Sequence, residues 1–508
     1  MADTKKTRYS SEKDKISTEL INYAKNKYEF FHNELGEGFV KIQAQTHAKF
    51  LQVNSKEFSE HLRMVGFRRS GKGLSNTVLD MVVTTLSAIA KFDGKKVKTY
   101  QRIAQVNETI FIDLCNDERE VVEVTRFGWK VARNPRVCFT RTSEMMPLLR
   151  PERGGNIEDL LNHINVDKGS LPLLVAWMLT AMQAGKGAYP ILSVDGQAGS
   201  GKSTSCRMIK QLIDPNKAPL LSQPKPSDLR VVASGHHVFA LDNISRISPE
   251  FSDSLCKFAT GENIRVRELY TTNSVLTISI KKPVMLNGIT ESGTRSDLVS
   301  RMLSLHLNKI ETRKTEAVAW AEFNKDAPKL LGSLLDGLVE ALKNYRDTQV
   351  DDMTRMADMC IWITAASPAY GWSKNTFMDA YNENLRSTHS NAIEASPFGE
   401  AIMNMYEDRG GYHGRPAQLL SLLENKCYVN DKSKNSSSWI RTPRGVVDQL
   451  AKLQPSFEAL GIHYEKYKDS SNKTFVKIGD REYVDNEDIL LMVEPIIREE
   501  PDKEDLDF

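Results

Sequence analysis

Residues 196–204 read Gly-Gln-Ala-Gly-Ser-Gly-Lys-Ser-Thr, and their types and spacing suit the capture of phosphate. Gly196, four intervening residues, Gly201, Lys202 and Ser203 satisfy the pattern G-x-x-x-x-G-K-[ST]. Glycines at 196, 199 and 201 let the backbone turn its N–H groups inward around phosphate oxygens with no Cβ in the way. Lys202 brings a charge to the outer phosphates and Ser203 a hydroxyl to Mg2+. Gln197, Ala198, Ser200 and Thr204 complete the set expected to touch ATP. A chance match in a Gly/Ser loop would lack flanking context. Here an apolar run at 189–194 leads in as a strand. A helix from about 202 to 213 leads out, with its positive dipole end at the phosphates.

Further chemistry-bearing residues sit at the tips of apolar runs downstream. The segment HHVFALDN (236–243) is a buried strand ending in Asp242, the place for a Mg2+-coordinating carboxylate. A helix N-cap is the plainer alternative for that Asp. PVMLNGI (283–289) is a second such strand, ending in Asn287, which can bond the γ-phosphate or the attacking water. TRSDLVSRMLSLHL (294–307) carries Arg295 and Arg301 before a last apolar strand. An Arg there acts on a neighbouring subunit's nucleotide as an arginine finger, or is an ordinary surface Arg. Between the Asp and Asn strands, IRVREL and VLTISI read as a basic hairpin turning at TTNS, residues 271–274. Arg265 and Arg267 share one face of its first strand.

This order of elements (phosphate loop, LDN strand, SD-x-LC-x-x-x-TG, basic hairpin, LNG strand, DL-x-x-R) resembles AAA+ ATPases of the superfamily 3 and poxvirus-type group. It is similar above all to the ATP-binding, helicase-like proteins of prophages and bacterial mobile elements. The similarity runs from about 102 to 420 and is strongest over 187–303. The resemblance implies an α/β fold with a P-loop AAA+-type core and a homo-oligomeric ring of six copies. It also implies a hairpin that grips single-stranded DNA in the ring channel, with Arg265 and Arg267 at matching positions. One departure stands out. Helicases of this type carry an acidic general base directly after the Mg2+ Asp, and here that position is Asn243, which cannot accept a proton. Glu262 or another carboxylate then serves as base, or turnover is slow, or ATP acts as a switch. No acidic constellation upstream marks a primase-polymerase module, so priming is not expected.

The elements that position these residues follow from patterning. Residues 1–95 read as a helical region, with an amphipathic face at Tyr23, Tyr28, Phe30 and Phe31 and a core helix at 79–89. Residues 96–150 carry about five short alternating strands, a small β-rich unit whose basic residues are solvated edges or a nucleic-acid contact. The ATPase core is assigned to 151–308 and a helical lid to 309–394. Residues 395–482 read as three helices and a two-stranded wing, a winged helix. Its helix from 443 is opened by Thr442 as N-cap and Pro443 as first helical residue. Bound to DNA, that helix would offer Arg441, Arg444, Gln449 and Lys452, and the wing Lys466, Lys468 and Lys473. Protein contact is the alternative use. Residues 483–508 form an acidic tail.

Composition sets the bounds. The chain has 508 residues, 40% hydrophobic and 26% charged, ordinary for a globular protein of about three domains. A net charge of +2 gives no global field for nucleic acid, so any basic surface is local. Six scattered cysteines include no C-x-x-C pair, which argues against a zinc site or disulfide framework and suits a cytoplasmic setting. The charged first residues are not a signal peptide, and the longest apolar stretch, 171–182, is too short to span a bilayer.

Three functions compete on these grounds. The first is an ATP-driven DNA translocase or helicase, a ring-shaped homo-oligomer replicating a phage or mobile element. The second is an ATP-binding switch on DNA with little hydrolysis (an initiator, regulator or phage-defence component), which Asn243 favours. The third is a small-molecule kinase, which the hairpin and winged helix argue against.

Overall fold

The computed structural model describes residues 2–43, 47–133, 135–184, 187–225, 228–244, 247–261, 263–267, 275–279, 281–288, 296–351, 355–425, 428–436 and 438–485. Contacts divide the chain into two compact units. One comprises 1–245, 253–289 and 301–381; the other comprises 246–252, 290–300 and 382–508.

The first unit opens with α1 (Ala2–Lys27), β1 (Glu29–His32), β2 (Gly38–Gln43), β3 (Ala48–Gln52), α2 (Lys56–Ser70), α3 (Asn76–Phe92) and β4 (Lys95–Lys96). The expectation of a purely helical start is therefore corrected, because the strands form a sheet in the order β3-β2-β1-β4. Its cause is a two-residue alternation at 38–43 and 48–52 that buries Val40, Ile42 and Leu51 beneath Phe58, Leu62, Val82 and Leu86 of the helices. Ser55 and Ser75 cap α2 and α3, each hydroxyl accepting from the N–H three residues on, at 3.2 and 3.4 Å. The opposite face holds Phe31 stacked on Phe39 at 5.6 Å.

Next come β5 (Thr99–Tyr100), β6 (Ile103–Val106), β7 (Thr109–Asp113), β8 (Val121–Thr125), β9 (Gly128–Ala132) and β10 (Cys138–Phe139). The meander β6-β7-β8-β9 is the small β-rich unit expected at 96–150, with β10 paired to β5 beside it.

The centre of the unit contains α4 (Leu171–Ala181), β11 (Ile191–Gly196), α5 (Lys202–Ile213), α6 (Leu229–Ser234), β12 (Phe239–Leu241), α7 (Pro249–Thr260), β13 (Asn263–Arg267), β14 (Val275–Ser279) and β15 (Val284–Asn287). After α8 (Ser296–Val299) comes β16 (Met302–Leu307). Four strands make a wholly parallel sheet in the order β12-β15-β11-β16. Strands β11, β12 and β15 read as apolar runs because both faces are buried, whereas the edge strand β16 alternates and leaves His306 exposed. Every residue of α4 is buried, as a helix apolar all round must be, and its one hydroxyl, Thr180, donates to Ala176 O at 2.7 Å. The sheet is followed by α9 (Glu316–Asn344), α10 (Ala357–Ala366) and α11 (Thr376–Glu394).

The second unit carries α12 (Pro397–Arg409), β17 (Gly411–Gly414), α13 (Pro416–Asn425), α14 (Asp431–Lys434), α15 (Pro443–Ala459), β18 (His463–Lys468), β19 (Thr474–Gly479) and α16 (Arg481–Asp485). The wing gains a third strand over the expected two, in the order β17-β19-β18. Thr442 caps α15 by accepting from Gly445 N–H at 3.1 Å, with Pro443 in its first turn as expected. Among the described residues no helix is long and apolar enough to cross a membrane.

Beneath the parallel sheet, the far end of α5 meets the β-rich unit through buried charge. Arg102 and Asp214 are both 0% exposed and pair at 3.1 Å. Arg102 also donates to the carbonyls of Asp113, Met146 and Pro215. The second Asp214 oxygen accepts the N–H groups of His237 and Val238 at 2.8 and 3.0 Å. Lys210 donates to Val238 O and to His236 Nδ1, which requires a neutral imidazole. Burial, reinforced by Lys210 and Lys282, pushes His236 down to about 4. Burial pushes His237 to about 4 as well, although Asp214 pulls the other way.

Both histidines are charged more easily unfolded than folded. Their contribution to stability is therefore complete above about pH 6.5 and is lost as pH falls towards 4. Thermal melting of the full chain should show its midpoint dropping steeply across pH 6.5 to 4, and His237→Gln should flatten that slope. An unchanged slope would mean other groups govern the acid limb.

Candidate nucleotide-binding site

The glycine-rich loop bridges β11 and α5 as its sequence requires. Gly196, Gly199 and Gly201 have φ of 144°, 79° and 85°, values that side chains with a Cβ rarely adopt. A Cβ on Gly196 would also stand 2.7 Å from Leu307 O. Lys202 arches back over the loop, donating to Gly196 O at 2.6 Å and Gln197 O at 3.0 Å. Its ammonium thus sits where the loop's carbonyls and amides meet.

Three side chains from three elements converge beside it. Ser203 lies in the first turn of α5, Asp242 one residue beyond β12, and Asn287 at the end of β15. Because β15 lies between β12 and β11, these tips are neighbours. Ser203 Oγ donates to Asp242 Oδ1 at 3.1 Å. The Asn287 amide donates to Ser203 Oγ at 3.0 Å and also to Asp242 Oδ1. Asn287 is buried, and its own Oδ1 has no partner. Ser200, in the loop itself, is 2% exposed and its hydroxyl is likewise unpartnered. Leaving such groups unpaired costs about 1–3 kcal/mol each, so these acceptors fit a site built for a ligand.

Asn243 follows in the left-handed region at φ 54°, and its N–H donates to Asp242 Oδ1 at 3.0 Å. Gly288, at φ 94°, passes 3.2 Å from Asn243 Cα by its would-be Cβ, so this turn admits no larger residue without a shift. The Asn243 side chain is exposed and offers an amide, not a base.

Other expected residues lie apart. Arg301 precedes β16, at the end of the sheet opposite the glycine loop, and is 8% exposed. An enclosed side chain is not displayed towards a neighbour's nucleotide, so the finger role expected for Arg301 gains nothing from this geometry. Arg265 and Arg267 fall on β13, which pairs antiparallel with β14 from Asn263↔Ser279 to Arg267↔Val275, the hairpin expected. Glu262, Thr271 to Ser274 and Arg295 lie outside the described residues. In the second unit Arg441, Arg444 and Lys452 are exposed at and along α15, Arg444 lying 4.0 Å from Asp448.

Sequence reasoning missed a cavity of about 830 Å³ against Gly199, Gly201, Thr204 and Met208. Its other walls are segments 161–167 and 308–322. A charged run such as Lys-Ile-Glu-Thr-Arg-Lys at 309–314 reads as solvated loop, and only its position in space marks it out.

Known proteins fit this picture in part. Residues 157–385 match the family model of the actinomycete integrative conjugative element replication protein, AICE RepA. Residues 398–486 match the AICE RepA C-terminal domain. No curated protein matches the chain. Among solved structures, the apo A form of the NrS-1 C-terminal region is 13% identical, covering 91% of this chain and 98% of that one at a TM-score of 0.38. A second structure of that region is 12% identical, covering 90% and 97%, at a TM-score of 0.37. The two family matches lie in order along the chain and together span more than half of it, which makes the chain a mobile-element replication protein.

Proposed function

We propose that the chain is an ATP-driven DNA motor of the AAA+ type, a translocase or helicase acting in the replication of its mobile element. The observation that carries this reading is the convergence of Ser203, Asp242 and Asn287 on the mouth of a glycine loop that already holds Lys202. Loop amides and Lys202 would bind the β- and γ-phosphates. Ser203 and Asp242 present hard oxygen ligands of the kind Mg2+ takes, and the unpartnered Asn287 Oδ1 beside them fits the same role or a water. Among the described residues no group of three His, Cys, Asp or Glu side chains could hold a metal alone. An ion here would therefore draw its remaining oxygens from phosphate and water. Mg2+ would neutralise charge on the triphosphate, while this chain's residues fix its orientation. The hairpin β13–β14 would grip single-stranded DNA, and the second unit, read as a winged helix, would contact duplex through α15. With Arg301 enclosed, a ring of copies rests on family resemblance, and light scattering of the ATP-bound protein decides it.

The test is ATP hydrolysis with and without single-stranded and forked DNA. Stimulation by single strands is the expected result. The position of Asn243 supports a second reading, an ATP-binding switch. Tight ATP binding with negligible, DNA-insensitive turnover would establish that reading and remove the motor.

Replacing Arg265 and Arg267 together by Ala removes two cations from one face of β13. Single-strand affinity should fall about tenfold or more at low salt, with ATP affinity unchanged within about twofold. Equal losses of both would mean the hairpin is structural.

A further inference from the structure

The cavity beside the glycine loop carries charge of both signs, Lys309, Arg313 and Lys314 against Asp167, Glu311, Glu316 and Glu322. Arg207 pairs with Glu316 at 2.9 Å, and Lys314 with Glu322 at 2.6 Å. Arg313 and Lys309 have no carboxylate partner among the described residues. Arg313 is placed distinctively. Its Nη2 lies 2.6 Å from where a Cβ of Gly199 would stand, so the guanidinium rests on the loop at a position that has no side chain to block it. Gly199 thus answers two demands, a φ of 79° and this close approach. The unpartnered hydroxyl of buried Ser200 lies next in the loop and lines the same cavity.

The walls are held in register. Asn308 N–H donates to Asn165 O at 3.0 Å, and Asn165 Nδ2 returns a bond to Asn308 O at 2.7 Å. Met208, Ile310 and Ala319 give the cavity an apolar lining. A volume of about 830 Å³ falls within the roughly 300–1,000 Å³ of ligand pockets. Volume, apolar lining and the seat of Arg313 on the loop match a nucleoside whose phosphates run into the loop.

We infer that this cavity takes the base and ribose of a nucleoside triphosphate, and that Arg313 is a phosphate-binding residue acting on the chain's own nucleotide. The inference rests on the nucleotide reading of the glycine loop and adds the residues that complete it. A guanidinium offers a planar pair of donors to phosphate, where a Lys offers a point charge. From its seat on Gly199, Arg313 approaches the triphosphate on the side away from Asp242. The segment between β16 and α9 thereby becomes sensitive to whether a nucleotide is bound.

The experiment measures binding of a fluorescent ATP analogue to the full chain, with unlabelled ATP and inorganic triphosphate as separate competitors. Arg313→Ala should weaken both competitors by about tenfold or more, and Arg313→Lys should recover part of the loss. Ala319→Trp, which fills the cavity from α9, should weaken ATP by about tenfold while leaving inorganic triphosphate within about twofold. Thermal melting establishes that each variant is folded; where Ala319→Trp is not, Ala319→Leu gives the smaller graded version. Wild-type affinity for both competitors in Arg313→Ala would overturn the role of Arg313 and leave the loop assignment standing. Equal loss of both competitors in the Ala319 variant would overturn the base site. No binding of either competitor to wild-type protein would remove the nucleotide reading itself.

Discussion

Lys202→Ala should weaken ATP binding by about a hundredfold and bring turnover below detection. The ammonium sits at the loop mouth within 3.0 Å of two backbone oxygens, so a phosphate held by the loop amides receives its charge directly. Charged hydrogen bonds are worth about 1.5–3 kcal/mol each, and two of them at the lower figure correspond to about two decades of affinity. Both present partners of Lys202 are carbonyls of its own loop, and the contact with Gln197 is exposed. Its loss should therefore cost folding less than about 1 kcal/mol. Calorimetric titration with ATP checks the first part and urea unfolding the second. Undiminished hydrolysis by the variant would sink the assignment of the loop.

Asp214→Ala should be the most damaging single change to folding. Removing one partner of a buried ion pair leaves the other charge uncompensated and costs about 3–5 kcal/mol. That is a large part of the roughly 5–15 kcal/mol a domain has in total. Asp214 also accepts two backbone N–H groups and faces Lys210, so more than Arg102 is orphaned. Its burial disfavours the charged form. Arg102, Lys210, His237 and the Val238 N–H outweigh that burial and hold the carboxyl below its ordinary range. Arg102→Met with Asp214→Leu should recover only the part due to the stranded Arg102 charge, because the carbonyls of Asp113, Met146 and Pro215 and the N–H groups of His237 and Val238 stay unpaired. Urea unfolding of the single and double variants measures both effects. A loss under about 1 kcal/mol for Asp214→Ala would mean the cluster is solvated in solution.

What was legible in the sequence was local. The loop and its flanking strand and helix, the Asp242 and Asn287 tips and the hairpin each show within a dozen residues. An apolar run ending in a polar residue announces a buried parallel strand. What escaped was either brief or distant. The sheet of β1 to β3 hides in strands of four to six residues, where Tyr28, Phe30 and Phe31 also fit a helical spacing. Strand β17 is Gly-Tyr-His-Gly, too short to alternate. Arg102 and Asp214 are 112 positions apart, and no spacing rule pairs them. Arg313 lies in a charged run, and only the close approach to Gly199, 114 positions earlier by sequence number, gives it meaning.

Helix α5 carries the glycine loop at one end and Asp214 at the other, twelve residues and so about 18 Å apart. It behaves as a strut clamped at its foot. Sliding or turning it would tear Asp214 from Arg102 inside the protein, at the several-kilocalorie penalty already described. If the loop turns over nucleotide as proposed, work done at that end would not be taken up by piston-like travel of this rod. It would be delivered sideways, through the tips of β12 and β15 and the segment bearing Arg313, or else move the whole strut together with the meander that anchors it.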